Sequence, residues 1–526
     1  MKQKESHGDV EGVDDVFNPE TQKRLLFSQE PKLLEAVSYF ATKIRSMPHD
    51  PKYPDIQPQA LIVGGFVRDA LWGLHPKDAD MEVYGVSPER LHEMLEQLFP
   101  GQVNVVGKAF EVLKVTVEEG IEFDVSIPRR ESKTGKGHKG FQIEGDPSMS
   151  IEEAARRRDF SFNSLAADIL TGTVYDRFGG LEDLKNKTLR ATDSERFVDD
   201  PLRVYRAVQF ASRYGLTVEP KTFELMKGMI EKGELEHLPS ERITEEWEKM
   251  LLRSFRPSVG LEIAKSLGII ERYYPELHAL IDTPQEPDWH PEGNVWIHTK
   301  MVLDVAASIA NDPARGFNKE QKLEILLGAL CHDLGKPDTT EVKDGRIKSH
   351  SHDSAGEVPT RKFFSRHSFG AHALHASVMS AIEHLQPNTL YREFEKGRMT
   401  EKQYRNAIRR LAKRIAPMSP QVLIAVSEAD NRGRAFPDAL TREYVAGKKF
   451  IEVVMSDKLE ETATTPLIKG RDVLDHSQTL GKPLKPGPII GKILHAIEAM
   501  RDEGVIETRE QALASLDTLI DQHSNG

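Results

Sequence analysis

Asp78 and Asp80 stand two residues apart in KDADMEVYG. On a β-strand such positions share one face, so both carboxylates point the same way. Like charges held this close repel unless a cation neutralises them, and hard oxygen ligands of this kind suit Mg²⁺. A third carboxylate, Asp124, lies at the centre of GIEFDVSI, with Phe123 and Val125 on the opposite face. Three strand carboxylates suffice to hold two metals for in-line phosphoryl transfer. Just upstream, ALIVGGFVRDALWG reads as a strand, a Gly64-Gly65 turn and a helix that carries Arg68 one turn in. Glycines at such a turn let backbone N–H groups approach a phosphate. A plain strand–turn–helix connection would also fit GG-x-x-R taken alone.

A second set combines histidine and aspartate. His298 stands at a helix start in WIHTKMVLD, and His332 and Asp333 are adjacent at a helix end closed by Gly335 and Pro337. His352 follows in KSHSHDSAGE, and Asp430 in AVSEADNRGR. Imidazole and carboxylate ligands converging from separate helices suit a divalent transition metal. Such an ion lowers the pKa of its bound water and makes a nucleophile against phosphate esters. His367, His372, His375 and His384 lack evident ligand partners and read as surface or packing residues. Cys331 reads as a small buried apolar group rather than a nucleophile.

These residues need two kinds of scaffold. From about 60 to 190, short β-rich runs (ALIVGG, DADMEVYG, VNVVG, EVLKVTV, IEFDVSI) alternate with helical patterns, which predicts an α+β domain. Beyond 190 the pattern is almost wholly helical, punctuated by RSFRPSVG, TPQEPDWHPEGN and KPLKPGPIIG. The expected division is a disordered acidic N-terminus over 1–30, a head over 31–188, a helical neck and body over 189–285, a histidine-bearing domain over 286–440 and a helical tail over 441–526. At 526 residues the chain has ample length for several cores. No run approaches the ~20 apolar residues of a membrane span, and the opening MKQKESHGDVEGVDDV lacks an apolar signal core. One cysteine excludes an internal disulfide framework. The expectation is a cytoplasmic protein without membrane partners, monomeric or homodimeric. The net charge of -12 argues against nucleic acid only as an average, because residues 361–420 hold 12 Lys/Arg against 4 Glu. A solvated helix face would give the same stripe.

GGFVRDALWGLHPKDAD, RRRDFSFNSLA, YDRFGGLEDLKNKTLR, DDPLRVYRAVQFASRYG and KPGPIIGKIL occur in that order within residues 60–510. Together they resemble the class II tRNA nucleotidyltransferases of the polymerase β superfamily, that is, the CCA-adding enzymes and their bacterial poly(A) polymerase relatives. The ordered H…HD…D set is similar to that of HD phosphohydrolases. The resemblance implies a polymerase β-like nucleotidyltransferase head, an all-α neck and body, an HD domain and a helical tail. It implies Mg²⁺ on Asp78 and Asp80, with Asp124 as the third carboxylate. It places the triphosphate on Gly64, Gly65 and Arg68, and the nucleotide pocket on Arg158, Asp159 and Asn163. Asp200, Arg203 and Arg206 would read the incoming CTP or ATP base in place of a template. Asp200 before Pro201 is also a standard helix N-cap. The HD ligands would be His298, His332, Asp333 and Asp430, with His352 as a further one, holding Ni, Mn or Co. Members with such a domain act as phosphatases and 2′,3′-cyclic phosphodiesterases.

RNA contact, with tRNA as the implied partner, would run through phosphates. RRESKTGKGHKG (129–140) reads either as a mobile loop able to reach them or as a disordered hairpin tip, and Lys485 and Lys492 flank a helix start suited to one. Two positions depart from the CCA-adding pattern: Asp199 where Glu is usual, and Gln209 where Arg is frequent. They keep open an enzyme that uses ATP alone. Two other readings stand beside it: a protein whose main work is HD phosphohydrolysis, and a non-catalytic RNA-binding module with both metal sites vestigial.

Overall fold

The computed structural model describes residues 17–106, 112–118, 120–133, 141–459, 466–502, 505–506 and 508–524. The chain forms two compact units, one of residues up to Met250 with Glu262–Ile269, the other of Leu251–Leu261 with the residues from Ile270 onward. Among the described residues no helix is long and apolar enough to cross a membrane.

The first unit is built on a seven-stranded mixed sheet. Its strands are β1 (Gln59–Val63), β2 (Asp78–Tyr84), β3 (Val103–Val106), β4 (Val112–Glu118) and β5 (Ile121–Ser126), then β8 (Ala166–Asp168) and β9 (Thr173–Tyr175). A separate hairpin of β6 (Arg129–Lys133) and β7 (Phe141–Gly145) lies between them in sequence. The sheet order is β3-β4-β5-β2-β1-β8-β9, and β2 with β5 is its parallel pair. That pair sets Asp80 opposite Asp124, and Asp78 opposite Glu122. The alternation of β2 then buries Ala79 and Met81 and leaves Asp78 and Asp80 on the open face.

Beneath the sheet, α1 (Pro19–Phe27) and α2 (Pro31–Arg45) contribute Leu26, Val37, Phe40 and Ile44, all fully buried. The expected tail over 1–30 is therefore corrected for residues 19–27, which fold because Asn18 caps the helix and Pro19 starts it; residues 1–16 lie outside the described residues. Two further helices position the site: α3 (Gly65–Leu71), directly after β1, and α4 (Leu202–Tyr214), which carries Arg203 and Arg206. Phe160, Phe162, Phe197 and Phe210 pack ring against ring under α4, with centroids 5.6–5.8 Å apart.

The second unit centres on α5 (Val295–Asn311), α6 (Lys319–Cys331), α7 (Ala371–Glu383) and α8 (Pro420–Arg432), packed on one another. Their starts are written locally. Asn294 and Ser419 cap α5 and α8, and Asn318 with Gln321 forms a capping box on α6. Leu303, Leu326, Leu327, Leu330, Val422 and Leu423 are fully buried between them. Cutting one such leucine to alanine costs about 2–5 kcal/mol. The last helices, including α9 (Pro488–Asp502), surround a core of their own from Ile468, Val473, Ile493, Ile497, Leu516 and Ile520.

Candidate active sites

In the first unit a cavity of about 560 Å³ opens over β2, β5 and the start of α3. Asp80, Asp124, Glu82, Gly64 and Gly65 line it with Arg129, Arg157, Arg158, Asp159, Asn163, Asp200, Arg203 and Arg206. Burial at the cavity wall pushes Asp80 up; Arg158 opposes this, while the charges of Asp124 and Asp78 add to it. Burial likewise raises Asp124 against the pull of Lys114, whose Nζ lies 3.8 Å from it. Carboxylates crowded together in this way are what a divalent cation relieves. The donor set, three hard oxygens on neighbouring strands, fits Mg²⁺.

Glu82 continues the same strand face, two residues beyond Asp80, and is the residue that sequence reading passed over. It is buried, accepts from Arg157 at 3.0 Å and from the Tyr84 hydroxyl at 2.9 Å, and forms an ion pair with Arg158 at 3.3 Å. Its i, i+2, i+4 spacing after Asp78 and Asp80 was the available signal. Glu82 holds two arginines at the cavity wall, and Gly64 makes room for one of them. Gly64 has φ +67°, and a Cβ there would stand 2.7 Å from Arg158 Nη1.

Arg68 lines the cavity, but its guanidinium is taken up inside the protein. Nη1 donates to Asn163 Oδ1 at 2.6 Å, Nε to Asp69 at 2.7 Å and Nη2 to the Tyr214 hydroxyl at 2.9 Å, and the group stacks on Phe210 and Tyr214. Asn163 in turn donates to Asp159 Oδ1, and Arg206 Nε donates to Asp159 Oδ2 at 2.7 Å. Arg68, Asn163, Asp159 and Arg206 thus form one chain of hydrogen bonds across the cavity floor. Arg203 donates to the carbonyls of Arg196 and Arg157. Asp200 Oδ1 accepts from Leu202 N at the start of α4, and Oδ2 accepts from Arg242 at 3.0 Å. Gln209 is buried, and its Nε2 has no hydrogen-bond partner among the described residues.

In the second unit His298, His332, Asp333 and Asp430 meet, all buried, from α5, the end of α6 and α8. His298 Nε2 lies 3.1 Å from Asp430 Oδ1 and 3.7 Å from Asp333 Oδ2. His332 Nε2 lies 3.2 Å from Asp333 Oδ2, and His352 Nε2 lies 3.6 Å from Asp333 Oδ1. Gly335 lets the His352 segment in, since a Cβ would overlap the His352 carbonyl.

His384, read from sequence as surface or packing, belongs to this cluster. It is buried at the end of α7, grouped with His332 and Asp333, its ring 5.1 Å from that of His332. Nothing in its spacing marks it, because the helix packing alone brings it round. His367 and His375 do serve packing, bonded to backbone carbonyls.

The histidines share a construction. Nδ1 of His332, His352 and His384 bonds the carbonyl of Ala329, Ser349 and Ser380 at 2.7, 2.8 and 2.9 Å. A carbonyl only accepts, so the proton sits on Nδ1 and Nε2 offers its lone pair. His298 is held by Glu292, 2.8 Å from Nδ1. An Nε2 lone pair facing a carboxylate oxygen at 3.2 Å needs a proton or a metal cation between them, and the paired Nδ1 contacts are those that orient metal-ligating imidazoles. The residues fit a divalent metal. Burial pushes Asp333 up, but His332 and Lys336 outweigh it and hold it well below the carboxylate range. Lys336 Nζ is 2.7 Å from Asp333 and donates to Gln285. Burial pushes the Cys331 thiol up, as a packing residue requires.

Lys485 and Lys492 are exposed on either side of the start of α9. Of RRESKTGKGHKG, residues 134–140 lie outside the described residues; Arg130 pairs with Asp146 at 2.6 Å. Much of the basic stripe is neutralised locally, as Arg414 pairs with Glu383, Arg409 with Asp457 and Lys413 with Glu498.

Three family models match: a poly A polymerase head domain over residues 60–190, a probable RNA and SrmB-binding site of polymerase A over 215–281, and an HD domain over 295–431. A multifunctional CCA protein of Pasteurella multocida is 34% identical over 386 residues, 71% of this chain and 83% of that one. Another, of Mannheimia succiniciproducens, is 31% identical over 457 residues, 83% of this chain and 99% of the other. Among solved structures, a Bacillus stearothermophilus CCA-adding enzyme in complex with CTP matches with a TM-score of 0.57 at 21% identity, over 94% of this chain and 99% of that one. A CCA-adding enzyme with ATP matches with a TM-score of 0.55 at 20% identity, over 93% and 98%.

Proposed function

The chain belongs to the family of multifunctional CCA proteins, and from that premise we propose that it adds C and A from CTP and ATP to the 3′ end of tRNA without a template, and hydrolyses phosphate esters in its HD domain. The carrying observation is the register of β2 against β5, which seats Asp80 beside Asp124 in an arginine-walled cavity.

Asp78, Asp80 and Asp124 would hold Mg²⁺, which when bound supplies charge neutralisation for the triphosphate and the leaving pyrophosphate. Asp124, with a raised pKa, is placed to accept a proton from the attacking 3′-hydroxyl. Arg158 and Arg157, fixed by Glu82, face the phosphates. Gly64 and Gly65 admit them to the N-terminus of α3. Arg68 acts through Asn163, Asp159 and Arg206 and sets the shape of the pocket floor. Asp200, Arg203 and Arg206 present the edge against which a base is read.

In the HD domain, His298, His332, Asp333 and Asp430, with His352 and His384 beside them, would hold a divalent transition ion of the Ni, Mn or Co type, which when bound supplies an activated water. Glu292 orients His298, and Lys336 holds Asp333. Lys485 and Lys492 would meet RNA phosphates. The domain division proposed with this assignment is head 31–188, neck and body 189–285, HD domain 286–440 and tail 441–526.

The test is incorporation of labelled CTP and ATP, singly and together, into tRNA ending at the discriminator base. Addition of C that then permits A, stopping after three nucleotides, is expected. Adenylation only of tRNA already ending in CC would replace this reading with an ATP-only enzyme, the outcome that Asp199 and the unpartnered Gln209 amide would then explain.

A further inference from the structure

Away from the HD cluster, α6 and α7 bring together a second group that none of the chemistry above employs. Glu320 and Glu324 are one turn apart on α6 and so share a face. His372 is the second residue of α7. One ligand atom from each lies within 4.8 Å of the other two. Glu320 and His372 are exposed, whereas Glu324 is only 7% exposed. Neither a hydrogen bond nor an ion pair reaches any of the three among the described residues. This sets them apart from other carboxylates of the unit, such as Glu383, Glu393 and Glu428, which are paired with arginine.

We propose that Glu320, Glu324 and His372 form a binding site for a divalent transition cation of the Zn²⁺ class, separate from the HD centre. Burial and the neighbouring Glu320 push the Glu324 carboxyl up to about 7, and a cation between the two carboxylates relieves both effects. The mixture of one imidazole with two carboxylates selects a borderline ion over Mg²⁺ or Ca²⁺. Ligand bonds of about 2.0–2.2 Å bring the three atoms together with rotation of exposed side chains on Glu320 and His372. Water completes the coordination on the solvent side.

The location gives the site a consequence. Glu324 lies eight residues before His332 on α6, about 12 Å along the axis. His372 lies twelve residues before His384, about 18 Å. A cation at the starts of these helices pins together the two elements whose ends deliver HD ligands.

The test measures bound Zn²⁺ per chain after exhaustive dialysis of the full-length protein, as wild type, His372→Ala, Glu320→Gln and Asp333→Asn. His372→Ala and Glu320→Gln are each expected to bind one equivalent fewer than wild type. Asp333→Asn, altered only in the HD centre, is expected to keep that equivalent: its own His372→Ala double variant loses one more. Co²⁺ substitution gives a second readout, with visible absorption from the site lost in His372→Ala. Equal Zn²⁺ content in wild type, His372→Ala and Glu320→Gln would overturn the proposal, as would Co²⁺ spectra unchanged by His372→Ala.

Discussion

In the head, Asp80 and Asp124 face an open cavity and burial together with neighbouring carboxylates raises both; in the helical unit, Asp333 and Asp430 are buried deeper and yet held far below the carboxylate range. Burial acts the same way in the two places. The difference lies in who stands next to the carboxylate. On a strand pair, the neighbours across the register are other acids, and the arginines nearest them are tied to Glu82. Among helices, each acid meets fixed cationic or proton-sharing partners: Lys336 and His332 at Asp333, Arg434 and His298 at Asp430. On the proposed assignment, the head would take up cations together with phosphates, while the helical unit would offer a preformed ligand cage.

The sharpest way to break this contrast is to remove one acid from each centre. Asp80→Ala should lower nucleotide incorporation on the order of 10³-fold and leave hydrolysis of a 2′,3′-cyclic phosphate unchanged, with Asp333→Asn doing the reverse. Loss of both activities in either variant would show that the two centres are not independent. Next in size is Arg206→Ala, which leaves buried Asp159 with only neutral hydrogen-bond donors. It should cost about 3 kcal/mol, read as a lower midpoint in urea unfolding. A shift within error would mean that Arg206 serves nucleotide alone.

The smallest effect concerns a histidine outside both cages. Burial pushes His367 down to about 4, against about 6.5 in the unfolded chain. The unfolded state then binds the extra proton between these values, so stability is full above pH 6.5 and falls as pH drops toward 4. Between pH 7.5 and 5 the loss should be about 2 kcal/mol, and His367→Gln should flatten that part of the profile. An unaltered profile would assign the titration to the histidine cage instead.

Much of the head was legible because strand chemistry is local. The i, i+2 spacing of Asp78 and Asp80 fixes their common face, the Gly64-Gly65 pair marks the turn, and Pro201 after Asp200 announces a helix start. The same spacing extended to Glu82, yet its role depends on Arg157 and Arg158 arriving from another segment. For the HD cluster, adjacency marked His332 and Asp333, and the resemblance to HD phosphohydrolases added His298, His352 and Asp430.

His384 and Glu292 had no such mark. Their place arises because α7 packs beside α6 and the segment before α5 turns back on it. The destination of Arg68 was also invisible: a cation one turn into a helix suits a phosphate equally well, and the aromatic faces of Phe210 and Tyr214 drew it inward. The sequence by itself determined which groups stand together along a strand or a helical turn, since backbone period fixes those positions. Only the tertiary structure decided which distant partners neutralise them, because burial and charge pairing act through space and carry no signature along the chain.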